Sequence, residues 1–294
     1  MTKPTLSAYL MLFFQGAIWG SSFQAIKFAL EGYGPISVAA GRLTLAAIMM
    51  SLYAWHRGHR FPREGKTLAL LAIVGLFNCA IPFFLIPWGE QSMDSGRAAI
   101  FMATGPLITL ALAHFTTNEE HLNRFKVAGF MMGFIGVLIV IGLNTFSSGV
   151  GDLLPQLAII LAATSYAISG VIARRIQDVS SSVFTACVLL AATVMTVPAS
   201  LILEHPFSSF SISASFESSL AIVYLGIIPT GLAFLLRFHL IKTVGFTFVS
   251  QVGYLVPMFG VLFGALIFEE AITLPTIFGL CLILAGIGVS RFTR

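Results

Sequence analysis

The chain has 294 residues, of which 57% are hydrophobic and only 10% charged, with a formal net charge of +4. Soluble domains carry about 25% charged residues, and with a mean hydropathy of +0.94 this composition excludes a soluble enzyme or binding module and predicts an all-α membrane protein. The pI near 9.1 does not signal nucleic acid, because the placement of the basic residues explains it better.

A membrane span needs roughly 20 mostly apolar residues, and ten such segments are predicted, at 6–30, 36–55, 67–88, 94–115, 124–143, 152–173, 180–203, 217–241, 245–268 and 274–291. Barrel strands would alternate over shorter stretches instead. The first segment follows Lys3, exceeds a signal h-region and lacks a small-residue cleavage site after it, so it reads as a span rather than a leader. Within it Gln15, Trp19 and Ser22 fall at i, i+4 and i+7, on one helix face. Polar groups at mid-span are costly in lipid and usually face the bundle or a cavity.

Gly32, Gly34 and Pro35 punctuate the step into the second segment, where Arg42 lies about two turns in. Arg42 is read as pairing with Glu31 or Glu90, attracting a carboxylate, or snorkelling. A basic stretch from His56 to Lys66 leads to the third segment, which carries Asn78 near its middle, followed by Pro82 and Pro87. Proline frees a backbone carbonyl and kinks a helix. The fourth segment contributes Met102 and Pro106, and Glu119-Glu120 follow it.

Ser147 to Gly151 form a polar joint between two halves, 1–146 and 147–294. The sixth segment repeats the polar face of the first: Tyr166 aligns with Trp19, and Ser169 with Ser22, at an offset of 147. Either aromatic lines a central site or acts as a packing plug with its polar tip satisfied. After the Ser-rich connection from His205 to Ser215, the eighth segment holds Pro229 and Thr230. The ninth carries Gln251, Tyr254 and Pro257 at i, i+3 and i+6, and Gln251 with Tyr254 could hydrogen-bond an amino-acid backbone.

The halves repeat. Glu119-Glu120, then Gly129 and Gly136, return as Glu269-Glu270, then Gly279 and Gly286, at an offset of 150. Leu71-Ala72-Ile73-Val74 returns as Leu220-Ala221-Ile222-Val223. With the N-terminus inside, the cytoplasmic segments collect Lys3, Arg57, Arg60, Arg63, Lys66, Arg124, Lys126, Arg174, Arg175, Lys242, Arg291 and Arg294. This basic bias sets orientation and predicts both termini cytoplasmic. Five spans per half then force the copies into opposite orientations, an arrangement in which substrate sites sit near the midplane between repeats.

Gly245, Val249 to Pro257, Phe268-Glu269-Glu270, Gly279 and Leu284-Ala285-Gly286, echoed by Thr104-Gly105-Pro106, Glu119-Glu120, Gly129 and Gly136, resemble the EamA-type repeat of the drug/metabolite transporter superfamily. The resemblance covers essentially the whole chain and is greatest to the YddG-like (aromatic) amino acid exporters. It implies a ten-helix bundle of two inverted halves that exports small metabolites. The first-half Asn118-Glu119-Glu120-His121 is more polar than its counterpart, so the copies need not contribute equally.

The expected pathway is therefore Gln15, Trp19, Ser22, Asn78, Met102, Tyr166, Ser169, Thr230, Gln251 and Tyr254, with Pro82, Pro87, Pro106, Pro229 and Pro257 as kinks. Cys79, Cys187 and Cys281 have neither zinc nor disulfide spacing, and no metal or cofactor is expected. Metalloprotease and nucleophile-elbow motifs are absent, so an enzyme or a scaffold is the weaker reading. A multidrug exporter is the alternative cargo class, although it would want a deep carboxylate or an aromatic cage. No Asp or Glu falls at mid-span depth, so transport is expected to be gradient-driven unless Glu90 or Asp94, near span ends, couples it. The expected setting is a bacterial inner membrane, with lipid and a small-molecule substrate as partners, and a monomer or loose dimer as the assembly.

Overall fold

The computed structural model describes residues 5–116, 124–141, 150–176, 178–206, 216–249 and 251–290. Glu119, Glu120, most of the polar joint between the halves, and the terminal charges Lys3, Arg291 and Arg294 lie outside them. All regular structure among the described residues is helical.

Each expected segment is helical where described. The helices are α1 (Leu6–Leu30), α2 (Pro35–His56), α3 (Gly65–Gly75), α4 (Ile81–Glu90), α5 (Ser95–Met102), α6 (Gly105–Thr116), α7 (Arg124–Ile141), α8 (Val150–Ala173), α9 (Ser181–Leu203), α10 (Phe216–Leu225), α11 (Ala233–Val244), α12 (Phe246–Val249), α13 (Val252–Phe268) and α14 (Leu274–Ser290). Four expected spans are thus internally divided. A π-helical turn, Leu76–Ala80, joins α3 to α4, and another, Gly226–Leu232, joins α10 to α11. The fourth segment breaks between α5 and α6, and the ninth between α12 and α13.

Six helical stretches are long and apolar enough to cross a membrane by length and composition: Pro35–His56, Gly65–Glu90, Arg124–Ile141, Leu153–Ala173, Ser181–Leu203 and Phe216–Val244. α1 has the length, but Gln15, Ser21, Ser22, Gln24 and Lys27 dilute its hydropathy. Large apolar side chains such as Phe14, Leu52, Val194, Ile202, Leu266 and Phe278 are exposed around the bundle. In water such a surface would aggregate; around a multi-pass membrane protein it meets lipid.

The packing crosses between the halves. α2 lies along α9, and α7 along α14. α1 packs between α10–α11 and α13 of the second half, while α8 packs between α3–α4 and α5–α6 of the first. Glycines allow the closest approach. A Cβ on Gly136 would stand 2.7 Å from the Gly279 carbonyl, and one on Gly279 would stand 2.8 Å from the Gly136 carbonyl. The repeated glycines of the sequence therefore make the α7–α14 seam, in keeping with helix association through small residues in lipid. The central core, including Ile26, Phe101, Ile159, Leu225 and Ile283, is drawn from both halves.

Candidate functional site: a buried arginine between two π-helical turns

The two π-helical turns begin 150 residues apart, at Leu76 and Gly226. Proline explains the disturbance: Pro82 sits in the first turn of α4, and Pro229 lies within the second π segment. A π turn loosens the regular ladder and marks functional helices, and its carbonyls can take side-chain donors. The Trp19 indole Nε1–H donates to the Pro229 carbonyl at 2.9 Å. On the other side, the Ser165 hydroxyl donates to the Phe77 carbonyl at 2.7 Å. Thus α1 braces the second-half turn and α8 braces the first-half turn.

Arg42 of α2 lies between them and is 7% exposed. Its Nε–H donates to Thr230 Oγ1 at 2.8 Å, and the fully buried Thr230 hydroxyl donates to the Leu225 carbonyl at 2.8 Å. Its guanidinium stands 3.9 Å from the centroid of the Phe83 ring on α4. Among the described residues Arg42 makes no other hydrogen bond and no ion pair. Stack and Nε bond fix the guanidinium plane while leaving both terminal nitrogens to a ligand. A planar fork of that kind matches a carboxylate. The expected snorkelling of Arg42, or its pairing with Glu31, is not what the structure holds. A side chain reaching inward from an N-terminal turn finds Thr230 before it finds a surface.

Tyr166 and Cys79 are the uncharged groups within electrostatic range of Arg42. Tyr166, Met102 and Tyr254 pack against one apolar cluster, and Trp19 against another that includes Leu12 and Leu240. Asn78 is half-buried within the first π turn. Gln15 is fully buried with neither amide atom hydrogen-bonded. Ser22 and Ser169 each donate to the carbonyl three residues back, Trp19 and Tyr166, so their hydroxyls serve their own helices. Gln251 departs most from its expected place: it is exposed at the junction of α12 and α13, because the ninth segment breaks there. Pro82, Pro87, Pro229 and Pro257 are buried, and Pro106, half-buried, faces Gly253 across the gap between α6 and α13.

One end of the bundle is locked by a carboxylate. Glu270, in the loop after α13, accepts from Ser95 N (2.8 Å), Ser95 Oγ (2.7 Å) and Lys27 Nζ (3.2 Å) through Oε1, and from Gly96 N (2.8 Å) through Oε2. It satisfies the orphan N–H groups that begin α5. Burial alone would raise its pKa, but the Ser95 hydroxyl, the Gly96 and Ser95 amides and the Lys27 charge hold it below the ordinary glutamate value. Gln24 Nε2 ties the same cluster to the Gly260 carbonyl at 2.9 Å. Nothing local in the sequence shows that Lys27 and Glu270, 243 residues apart, meet.

The chain matches the EamA-like transporter family over residues 6–142 and again over 153–292. It is 24% identical to the uncharacterized transporter YoaV of Bacillus subtilis, covering 94% of each chain. It is 26% identical to the uncharacterized inner membrane transporter YedA of Escherichia coli K12, covering 89% of this chain and 83% of that one. A probable terminal-alkyne amino-acid exporter of Streptantibioticus cattleyicolor is 25% identical, over 81% of this chain and 78% of the exporter. A crystal structure 22% identical in sequence superposes with a TM-score of 0.70, over 97% of this chain and 98% of that one, and so shares the fold. Matched over both halves and nearly its whole length, the chain belongs to the EamA-like transporter family.

Proposed function

We propose that the protein exports small metabolites, amino acids among them and aromatic ones included, by alternating access across a bacterial inner membrane. In this reading ten helices span the membrane as two inverted five-helix units, 1–146 and 147–294, with both termini cytoplasmic. The double family match and the reciprocal packing of α1 and α8 support the two-unit reading. The relative named as a probable amino-acid exporter and the inner membrane relative support cargo class and setting.

The observation that carries the cargo assignment is Arg42, buried and without a counter-ion in contact among the described residues. It offers a carboxylate a fixed donor pair, with Trp19 and Tyr166 on facing helices to pack against a side chain. An apolar cation, the multidrug alternative, would meet a like charge there. Lys27, Ser95 and Glu270 close one end of the bundle in this conformation, and transport requires that lock to open.

The test is uptake of radiolabelled L-amino acids into liposomes holding the purified protein. Wild type is expected to exceed empty liposomes for several amino acids, with Trp19→Ala and Tyr254→Ala slower. If none moves faster than in empty liposomes, the cargo assignment is wrong. If both variants match wild type, the cavity assignment is wrong.

A further inference from the structure

Glu90 ends α4 and is 3% exposed. Neither of its carboxyl oxygens has accessible surface or a hydrogen-bond partner among the described residues. An ionised carboxylate there would be a desolvated and unpaired charge, a heavily penalised state. The carboxyl is also sealed, so an ammonium, a metal ion or a water would need space that is absent. A proton is the one cation that needs none.

Glu90 stands in a defined relation to the arginine. Phe83, which carries the Arg42 guanidinium on its ring, is seven residues earlier on α4. Seven residues place both on one helix face, about 10 Å apart along the axis. The Arg42 guanidinium, stacked on the Phe83 ring, and the Glu90 carboxyl thus belong to one side of α4. The two groups interact electrostatically without forming an ion pair. The charged groups acting on Glu90 are Lys27 from α1, Glu270 from the loop after α13, and Arg42 from α2. The first π turn and α8 face the Arg42 side of the cluster with Cys79 and Tyr166. Arg97 of α5 is engaged elsewhere, donating to the Val140 carbonyl of α7 at 3.2 Å.

We infer that Glu90 is a proton-binding site that decides whether Arg42 is open to a substrate carboxylate. With the proton on, Arg42 has no internal counter-charge and accepts the substrate anion. With the proton off, the Glu90 charge, felt at Arg42 through a medium of low dielectric, weakens the attraction of that guanidinium for a second anion. Proton and carboxylate are therefore taken up together and released together. The proton passes between Glu90 and water when the closed end opens, and no bond of the substrate changes. This inference rests on the amino-acid reading of the Arg42 site, and it takes up the Glu90 coupling that the sequence left open beside gradient-driven transport.

The experiment has two arms. In the first, binding of the panel's radiolabelled L-amino acids to purified protein is measured against pH. Wild-type affinity is expected to fall by up to about tenfold per pH unit above the Glu90 titration, the limit for one linked proton. Glu90→Gln, a mimic of the neutral acid, is expected to bind with the acid-limit affinity at every pH. A wild-type pH profile retained in Glu90→Gln, or a flat profile in wild type, overturns the inference. In the second arm, infrared spectroscopy of wild-type protein at neutral pH is expected to show a protonated carboxyl band that Glu90→Gln removes and Glu90→Asp shifts. Absence of that band from wild type, or its persistence unshifted in the variants, overturns the proton site whatever the cargo is. Failure of every amino acid to bind would sink the cargo reading, while the infrared arm still decides the proton site.

Discussion

Among the described residues α2 and α9 are tied to each other at both ends, whereas α5 and α13 are tied at one, with Glu119-Glu120, the counterparts of Glu269-Glu270, lying outside them. At the start of α2, Glu204 accepts from Ile36 N (2.9 Å), Ser37 N (2.7 Å) and Ser37 Oγ (2.7 Å). At the opposite end, His59 Nδ1 meets Ser182 Oγ at 2.7 Å. Ser37 and Ser182 are 145 residues apart, as are His59 and Glu204, so the repeat supplies the same tie twice. By contrast α5 is pinned to the far end of α13 through Glu270, while its continuation α6 packs on α8. A pair held at both ends forms a fixed frame. A tie at one end that opens while its counterpart closes is what the proposed alternating access demands.

The largest effect expected from breaking this arrangement falls between the two pairs, at Arg42. Arg42→Met keeps the stem but removes the fork, and losing a charged hydrogen-bond partner of about 3 kcal/mol corresponds to roughly 100-fold in uptake. Liposome uptake measures it, and a loss below tenfold would remove Arg42 from the binding role. Next is the glycine seam. Gly136→Leu must displace the Gly279 backbone, and overpacking of this kind costs about 1–3 kcal/mol. It should lower the thermal midpoint in detergent more than Gly170→Leu, where the added Cβ meets open space.

Glu270→Gln weakens the one-ended tie. A lost helix-end carboxylate is worth about 1 kcal/mol, and crosslinking across the Lys27 end should report a more open population. The pH dependence follows from the depressed Glu270 pKa. The stabilisation is present above the unfolded-state value of about 4.3 and disappears as pH falls through the lower folded value. Acid melts of wild type and Glu270→Gln should converge there, and a constant gap would refute the tie. The smallest effects belong to the frame. Ser182→Ala removes the hydroxyl bond to His59, and Ser37→Ala those to Glu204 and Ser200, each worth about 1 kcal/mol. They should lower stability with little change in uptake, and a selective loss of transport would deny that α2–α9 is static.

The helical segments were legible because hydropathy and Gly/Pro punctuation are local. The alignment of Trp19 with Tyr166 was legible too, and the matching Ser22 and Ser169 back-bonds follow from it. The π turns were visible only as prolines, since the extra residue per turn leaves no mark in composition. Arg42 could not be placed because its partner, Thr230, lies 188 residues away. The periodicity that put Gln251 on one face with Tyr254 was carried across the junction of α12 and α13, which hydropathy does not mark.

The doubled tie has a further consequence for how such a chain can diverge. Equivalent positions hold Glu204 at one end of the bundle and His59 at the other. The two sites share a hydrogen-bonding task with serine but sit at opposite boundaries of the molecule. In the proposed inverted arrangement, the second copy inherits the contacts of the first yet lands each surface charge on the opposite side. Such copies keep their geometry only by rewriting their electrostatics. On that proposal, the acid-for-imidazole exchange at these two serines is a trace of such rewriting.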